Sequence, residues 1–267
     1  MNFIETNWMN VIGRVSFANC DPLFDGLNDS WNILPAPPSW LTGHLLNRDC
    51  LVAPIPTADL CIHSTELIAL KELGIASSGS VGSVLLFGRR IPSLMRDIAV
   101  PTDSSTSKTL LPWLLNKRGL EPRILDMGPD LDKMLSVCDG ALLIGDRALH
   151  HAENSPELVQ MDLGTEWQIE TSTPMVFGVF AARRDSPINK IQSARNALLE
   201  TLNRFENDRN HRLDVINRSS ERVGFSKKRM STYFENEVRN RLTSADEDGL
   251  AYFAEEVCSI GSIDWLE

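Results

Sequence analysis

The sequence predicts an α/β fold. Several short, continuously apolar runs have the length of buried β-strands, and segments with apolar residues at helical spacing lie between them. The chain has 267 residues, of which 42% are hydrophobic, so it is long enough to bury a full core. Because apolar strands joined by helices are typical of sheets covered on both faces, we expect mostly parallel sheets.

The predicted strands are short segments with little polar interruption. They are 12–17, 50–56, 82–88, 97–101, 123–127, 140–145 and 175–183. The predicted helices have apolar residues three or four positions apart. They are 38–47, 57–71, 105–118, 130–137, 146–151, 188–216, 226–241 and 245–257. Ligands of such sheets bind beyond the carboxyl ends of the strands, so the residues that follow each strand are the first candidates for a site.

Bulk charge disfavours two classes of partner. The formal net charge of −10 argues against a general attraction to nucleic acid or to anionic lipid. Residues 183–241 carry 14 Lys and Arg against 8 Asp and Glu, but these charges alternate with apolar residues at helical spacing. That pattern is typical of a solvated helix face, and we therefore expect no nucleic-acid partner.

The sequence also bears on location and cysteine chemistry. No run approaches the roughly 20 apolar residues of a membrane helix, and the first residues do not have the pattern of a secretory signal. We expect a soluble, cytoplasmic protein with no membrane partner. The five cysteines form no CxxC pair, which predicts reduced thiols and no zinc site.

Common catalytic and cofactor signatures are missing. The chain has no P-loop, no GxGxxG, no HExxH and no GxSxG, and its five histidines fall within or beside helical patterns. We therefore expect neither a nucleotide cofactor nor a metal. The pattern at the strand ends favours a polar, weakly charged cleft for a small carboxylate ligand.

The richest strand end is "PTDSSTSKTLL", residues 101–111. Asp103, Ser104 or Ser105 is placed to cap a helix whose first turn offers free N–H groups beside further hydroxyls. This is either an anion site or an ordinary capped helix. Asp146, after the sixth strand, is the best-placed carboxylate, with a helix N-cap as the alternative.

Six segments taken in order resemble one family. They are "GRVSFANCDPLF", "LVAPIPTADL", "SSGSVGSVLLFGRR", "DSSTSKTLLPWLL", "ALLIGDRAL" and "DLGTEWQIETSTPMVFGVFAARR". Together they resemble the chorismate dehydratase family of the futalosine route to menaquinone. The resemblance extends over nearly the whole chain after residue 11.

The resemblance implies a two-lobed, periplasmic-binding-protein-like (type II) fold with the ligand in the cleft between the lobes. Lobe one would comprise residues 1–86 and 178–267, and lobe two residues 87–177. The implied reaction removes water from chorismate, a small-molecule substrate, to give 3-[(1-carboxyvinyl)oxy]benzoate. The resemblance implies no metal or redox cofactor for it. The elimination gains an aromatic ring, so its barrier depends mainly on orientation and a modest base.

The resemblance also implies a set of site residues. Asn19 matches the asparagine of the family at the end of the first strand, and its amide can orient a dianionic substrate without repelling it. An Asx-turn that ends the strand is the alternative role for Asn19. Asp146 is placed to orient another contact. The remaining candidates would contact the carboxylates or hydroxyl of the substrate, and they are Ser16, Ser83, Ser104, Ser105, Thr106 and Ser107.

Four positions depart from the family pattern. Phe17 and Ala18 stand where tyrosine and leucine are common, Ser80 replaces a usual proline, and Ser172 replaces a glycine. The departures indicate a divergent lineage or an altered substrate. Two other functions stay open, namely the related 1,4-dihydroxy-6-naphthoate synthase and a non-catalytic binding protein for a small carboxylate.

Overall fold

The architecture consists of two β-sheets with helices packed around them. The computed structural model describes residues 8–27 and 30–266. The strands are β1 (Val11–Val15), β2 (Asn32–Ala36), β3 (Val52–Pro56), β4 (Leu67–Ser77), β5 (Val84–Gly88), β6 (Asp97–Pro101), β7 (Arg123–Met127), β8 (Gly140–Ile144), β9 (Val159–Asp162), β10 (Met175–Arg183), β11 (Arg239–Arg241) and β12 (Trp265–Leu266).

The helices precede, connect and follow these strands. They are α1 (Asp21–Phe24), α2 (Pro38–Leu46), α3 (Thr57–Ile62), α4 (Ser105–Lys117), α5 (Leu131–Val137), α6 (Gly145–Asn154), α7 (Leu163–Thr171), α8 (Ile188–Asn207), α9 (Arg209–Val223), α10 (Lys227–Thr232) and α11 (Ser244–Glu256). A π-helical turn, Tyr233–Glu237, continues α10. Among these helices, none combines the length and hydropathy needed to cross a membrane.

Both sheets are mixed. The larger has the order β11-β4-β10-β3-β1-β2 with β12 beside β4, and the smaller has the order β7-β6-β8-β5-β9. β1 runs parallel to β2 and β3, but β10 runs antiparallel to β3 and β4. In the smaller sheet, β6 runs parallel to β7 and β8, but β5 runs antiparallel to β8 and β9. The expectation of mostly parallel sheets was wrong because β5 and β10 are the strands at which the chain passes from one sheet to the other, so no βαβ crossover within one sheet sets their direction.

Apolar side chains bury both faces of the smaller sheet. Leu86 belongs to a cluster with Trp167, whereas its neighbours Leu85 and Phe87 belong to another cluster with Met134. Because successive side chains of a strand point to opposite faces, a strand covered on both faces has to be apolar at every position. This explains the unbroken run "VLLFG".

All seven predicted strands are confirmed, but three predicted helices were partly wrong. In 57–71 the helix ends at Ile62 and the chain continues as β4. The predicted helix 188–216 breaks at Asp208, whose side chain caps α9 by accepting from the Asn210 and His211 N–H groups. The segment 226–241 ends as the strand β11. Five further elements, β2, β9, β12, α1 and α7, were not predicted.

The two sheets draw on different parts of the chain. The strands of the larger sheet fall within 11–77 and 175–266, and those of the smaller fall within 84–162. The lobe boundaries placed at residues 86/87 and 177/178 stay a prediction. Residues 1–7, 28–29 and 267 of the predicted lobe one lie outside the described residues.

Candidate functional site

An uncharged cavity lies between the two sheets, and the space inside its walls, including the part open to solvent, is about 540 Å³. Its walls come from β1, β3, β4 and β10 of the larger sheet, from β5 and β8 of the smaller sheet, and from the starts of α2, α4 and α6. None of the described residues that line it has a charged side chain. Its polar side chains, all predicted from the sequence, are Asn19, Ser83, Ser104 and Ser107. We call this space the inner cavity.

Asn19 stands in a short 3-10 turn directly after β1 and is only 8% exposed. Its side-chain oxygen Oδ1 is buried and has no hydrogen-bond partner among the described residues, so it closes no Asx-turn there. Its backbone carbonyl is held by Asn240, whose Nδ2 donates to it at 2.9 Å and to the Gly74 carbonyl at 3.1 Å. A buried amide oxygen without a partner is costly, which favours a ligand as its partner.

Ser83 precedes β5 and is buried. Its hydroxyl oxygen accepts a hydrogen bond of 3.0 Å from the Tyr233 hydroxyl. Complete burial raises the pKa of the Tyr233 phenol far above its usual range, so this group stays a donor. The Ser83 O–H is therefore free to donate to a ligand.

The start of α4 places two of its hydroxyl-bearing residues at the inner cavity. Ser104 is the N-cap residue without a side-chain cap bond, and Ser107 lies one turn further; both are buried. Beside them lie N–H groups of the first helical turn, which are suited to an anion. The structure does not bring Ser105 or Thr106 into the cavity lining. The Thr106 hydroxyl instead accepts from the Ala58 N–H at 3.2 Å and so joins α4 to α3.

A second space of about 1020 Å³ adjoins the inner cavity and shares Val15, Phe17 and Pro38 with it. We call it the mouth. Its polar side chains are Ser16, Asp103, Asp146 and Arg147. Ser16 is exposed, and its carbonyl accepts from Arg222 Nη1 at 2.9 Å.

Asp146 joins the start of α6 to the segment that follows β1. Its Oδ1 accepts from the Ala18 N–H at 2.9 Å, and its Oδ2 lies 3.8 Å from Arg222 Nη1. It stands within the first turn of α6 and makes no N-cap bond, so the N-cap alternative was wrong. Burial raises the pKa of this carboxyl from 3.8 to about 6, although the Ala18 N–H and Arg222 act in the opposite direction.

Phe17 separates the mouth from the inner cavity. Its ring packs against Gly145, where an added Cβ would lie 2.5 Å from the ring and where φ is +64°. On the mouth side, the Arg147 guanidinium carbon lies 5.3 Å from the centre of the ring. Glycine at 145 therefore permits both the left-handed backbone and the close approach of Phe17.

Four residues that shape this site were missed by the sequence reasoning. They are Arg147, Arg222, Tyr233 and Asn240. Only Arg147 could have been suggested by the sequence, because it directly follows the candidate Asp146. In residues 8–27 and 30–266, no three His, Cys, Asp or Glu side chains are grouped as a metal site, and the five cysteines are unpaired.

Sequence comparisons identify the family. Residues 11–258 match the family model described as menaquinone biosynthesis. The chain is also 33% identical over 264 residues to the chorismate dehydratase of Thermus thermophilus, covering 92% of this chain and 94% of that protein. The chain belongs to the menaquinone-biosynthesis family. The predicted relationship to the chorismate dehydratases is thereby confirmed, and the protein is an enzyme of menaquinone biosynthesis.

Structural comparisons confirm the fold. A protein from Archaeoglobus fulgidus superposes with a TM-score of 0.71 at 18% identity, covering 93% of this chain and 96% of that one. The alkanesulfonate-binding protein SsuA from Xanthomonas axonopodis pv. citri, bound to MOPS, superposes with a TM-score of 0.63 at 14% identity over 92% and 93% of the two chains. A Candida albicans protein with the generic periplasmic-binding-protein fold gives 0.65 at 12% identity over 93% and 88%. The enzyme therefore has the predicted two-lobed, periplasmic-binding-protein-like fold.

Proposed function

We propose that this enzyme is a chorismate dehydratase, a hydro-lyase that converts chorismate to 3-[(1-carboxyvinyl)oxy]benzoate and water. The observation that carries the proposal is the buried, unpartnered amide oxygen of Asn19 at an uncharged cavity. The relationship to the Thermus thermophilus chorismate dehydratase supports it. A cytoplasmic location stays a prediction.

The proposed reaction breaks the bond between the ring and its hydroxyl and removes one ring proton. The two fragments leave as water, and the ring becomes aromatic. Because aromaticity drives the step, the protein has to hold the substrate in one orientation rather than supply a strong acid or base. We propose that the enolpyruvyl carboxylate of the substrate takes the ring proton and that a proton returns to the departing hydroxyl.

Asn19 is the proposed catalytic residue. Its amide accepts and donates hydrogen bonds without adding charge next to a dianion. Asn240 positions it by holding the backbone carbonyl. Aspartate at this position would have the same shape but would repel the substrate.

The hydroxyls of the inner cavity are the proposed substrate contacts. Ser104 and Ser107, with the N–H groups at the start of α4, would hold one carboxylate. The Ser83 hydroxyl would donate to the substrate while it accepts from the Tyr233 hydroxyl. Ser16 lies at the mouth rather than in the inner cavity. Ser105 and Thr106 lie outside both lining sets, and their roles as contacts stay predictions.

The test is to incubate the purified protein with chorismate and a chelator and to follow the product by mass spectrometry and ultraviolet absorbance. We expect a product lighter by one water with an aromatic spectrum. The Asn19→Ala variant is expected not to form this product. The control variant Ser136→Ala changes an exposed serine of α5 and is expected to form it at the wild-type rate. Chorismate that is bound but recovered unchanged would contradict the proposal and indicate a binding protein.

A further inference from the structure

A ligand with two carboxylates would find no cation among the described residues of the inner cavity, so the second carboxylate needs a partner elsewhere in the cleft. Chorismate has two carboxylates, and the described residues lining the inner cavity carry no charge. The start of α4 is suited to one carboxylate. Among the described residues that line either the inner cavity or the mouth, the one cation is Arg147.

Arg147 is held in place but keeps bonding capacity. Its Nη2 pairs with Asp103 Oδ2. Its Nε is buried and has no hydrogen-bond partner among the described residues. The guanidinium also lies over the face of Phe17, and this ring lines both spaces. A guanidinium fixed on one side by a carboxylate and on another by an aromatic ring is ordered before a ligand arrives.

The carboxylates near Arg147 do not use all of its hydrogen-bond donors. Asp103 pairs with Nη2 alone, and Asp103 Oδ1 is itself buried without a partner in the described chain, so the pair is incompletely bonded. Asp146 is directed to the Ala18 N–H and toward Arg222. An anion that enters the mouth would therefore meet guanidinium N–H groups that Asp103 does not use, since 32% of the Arg147 side chain is exposed.

We propose that Arg147 binds the second carboxylate of the ligand and makes the site selective for doubly charged over singly charged compounds. The inference rests on the proposed function for the identity of the ligand. Asp103 acts as a positioning residue, since it pairs with Arg147 and, as a carboxylate in the mouth, would not itself bind an anion.

The test compares two ligands that differ by one carboxylate. Calorimetric titration would measure the Kd of the proposed product, 3-[(1-carboxyvinyl)oxy]benzoate, and of 3-vinyloxybenzoate, which lacks the second carboxylate. We expect Arg147→Gln to weaken binding of the first by roughly 10- to 100-fold and that of the second by less than about 2-fold. Arg147→Lys keeps the charge and is expected to retain part of the preference.

The matched control is Arg96→Gln, since Arg96 is an exposed arginine paired with Asp139 far from the cleft. It is expected to leave both Kd values unchanged. Equal losses for the two ligands in Arg147→Gln, or no loss for either, would overturn the inference. If the wild-type protein converts chorismate while Arg147→Gln and Arg147→Lys keep the full preference, the inference fails and the proposed function stands. If the wild type binds neither ligand and leaves chorismate unchanged, both fail.

Discussion

The inner cavity and the mouth share three lining residues, yet only the mouth has charged side chains among its described lining residues. The inner cavity has one amide and three hydroxyls and no charged side chain among its described residues, whereas the mouth has Asp103, Asp146 and Arg147. Phe17 stands between them. In the proposed function, this difference would separate two tasks. The uncharged groups would orient the reacting ring and one carboxylate, and Arg147 would bind the other carboxylate.

The largest expected effect comes from adding charge to the inner cavity. Asn19→Asp keeps the shape of the side chain but places a negative charge beside a dianion, and Asn19→Ala removes the amide. We expect both to lower kcat/KM by about 10²- to 10³-fold, with the aspartate variant at least as impaired as the alanine variant. Steady-state kinetics on chorismate would measure this, with urea unfolding as the check on folding. A fully active Asn19→Asp enzyme would contradict the role of an uncharged amide.

The next largest expected effect is on the free energy of unfolding, which depends on pH through Asp146 in the mouth. The pKa of Asp146 is about 6 in the folded protein against a usual 3.8, so the folded state binds this proton more tightly than the unfolded state. The stability that the proton contributes is therefore present below the usual pKa and lost as pH rises through the folded pKa. From the two pKa values, the loss amounts to about 2 kcal/mol between pH 4 and pH 7.

Asp146→Asn cannot titrate, and it tests this directly. The free energy of unfolding of the variant minus that of the wild type is expected to rise across that pH range, as measured by urea titrations. Asp130→Asn is the contrasting variant, because hydrogen bonds from Lys133 lower the pKa of Asp130. For that variant the difference is expected to stay nearly constant between about pH 4 and pH 7 and to change only below about pH 4, where the wild type loses the stability that the ionised Asp130 contributes. A pH-independent difference for Asp146→Asn would show that its carboxyl does not titrate as described.

A smaller effect is expected at the boundary between the two spaces. Gly145→Ala adds a Cβ at a position with left-handed backbone, and this Cβ would overlap the Phe17 ring. We expect a loss of about 2 kcal/mol in stability and an increase in KM as the ring moves. Gly119→Ala is the matched control, since φ is +69° there but no atom lies within 4 Å of the added Cβ. It should lose only about 1 kcal/mol, with KM unchanged. Equal effects from the two substitutions would show that Phe17 tolerates displacement.

The smallest effects are expected from single hydroxyls of the inner cavity. Ser104→Ala and Ser107→Ala each remove one uncharged donor, and we expect KM to rise about 5-fold in each, corresponding to about 1 kcal/mol. Ser136→Ala is the control. An unchanged KM in both variants would indicate that the carboxylate is held by backbone N–H groups alone.

Helix geometry explains which serines of "SSTS" reach the inner cavity. Ser104 and Ser107 are three residues apart and share one face at the start of α4, whereas Ser105 and Thr106 lie on other faces. The resemblance implies all four as contacts, since it identifies the segment but does not say which side chains face the ligand. The predicted start of the helix, residue 105, is confirmed.

β4 shows the limit of reading periodicity. The stretch "LIALKELGIAS" has apolar residues at a spacing that suits a helix, yet it forms an 11-residue strand between β10 and β11. Glu72 has a φ of +69°, and the pairing of β4 with β10 shifts register across this stretch, between Gly74 and Ala69. Hydrogen bonds to distant strands outweigh the local preference here, and no short window contains that information.

The sequence by itself determined the seven strands that were predicted and the polar residues that follow them, since burial on both faces requires unbroken apolar runs and strand ends are where polar side chains can turn toward a ligand. Only the tertiary structure determined what surrounds those residues. Asn240 holds the carbonyl of Asn19 across 221 positions of sequence, and Tyr233 reaches Ser83 across 150. Contacts at such separations depend on how the two sheets and their helices pack, and no local pattern of residues encodes that packing.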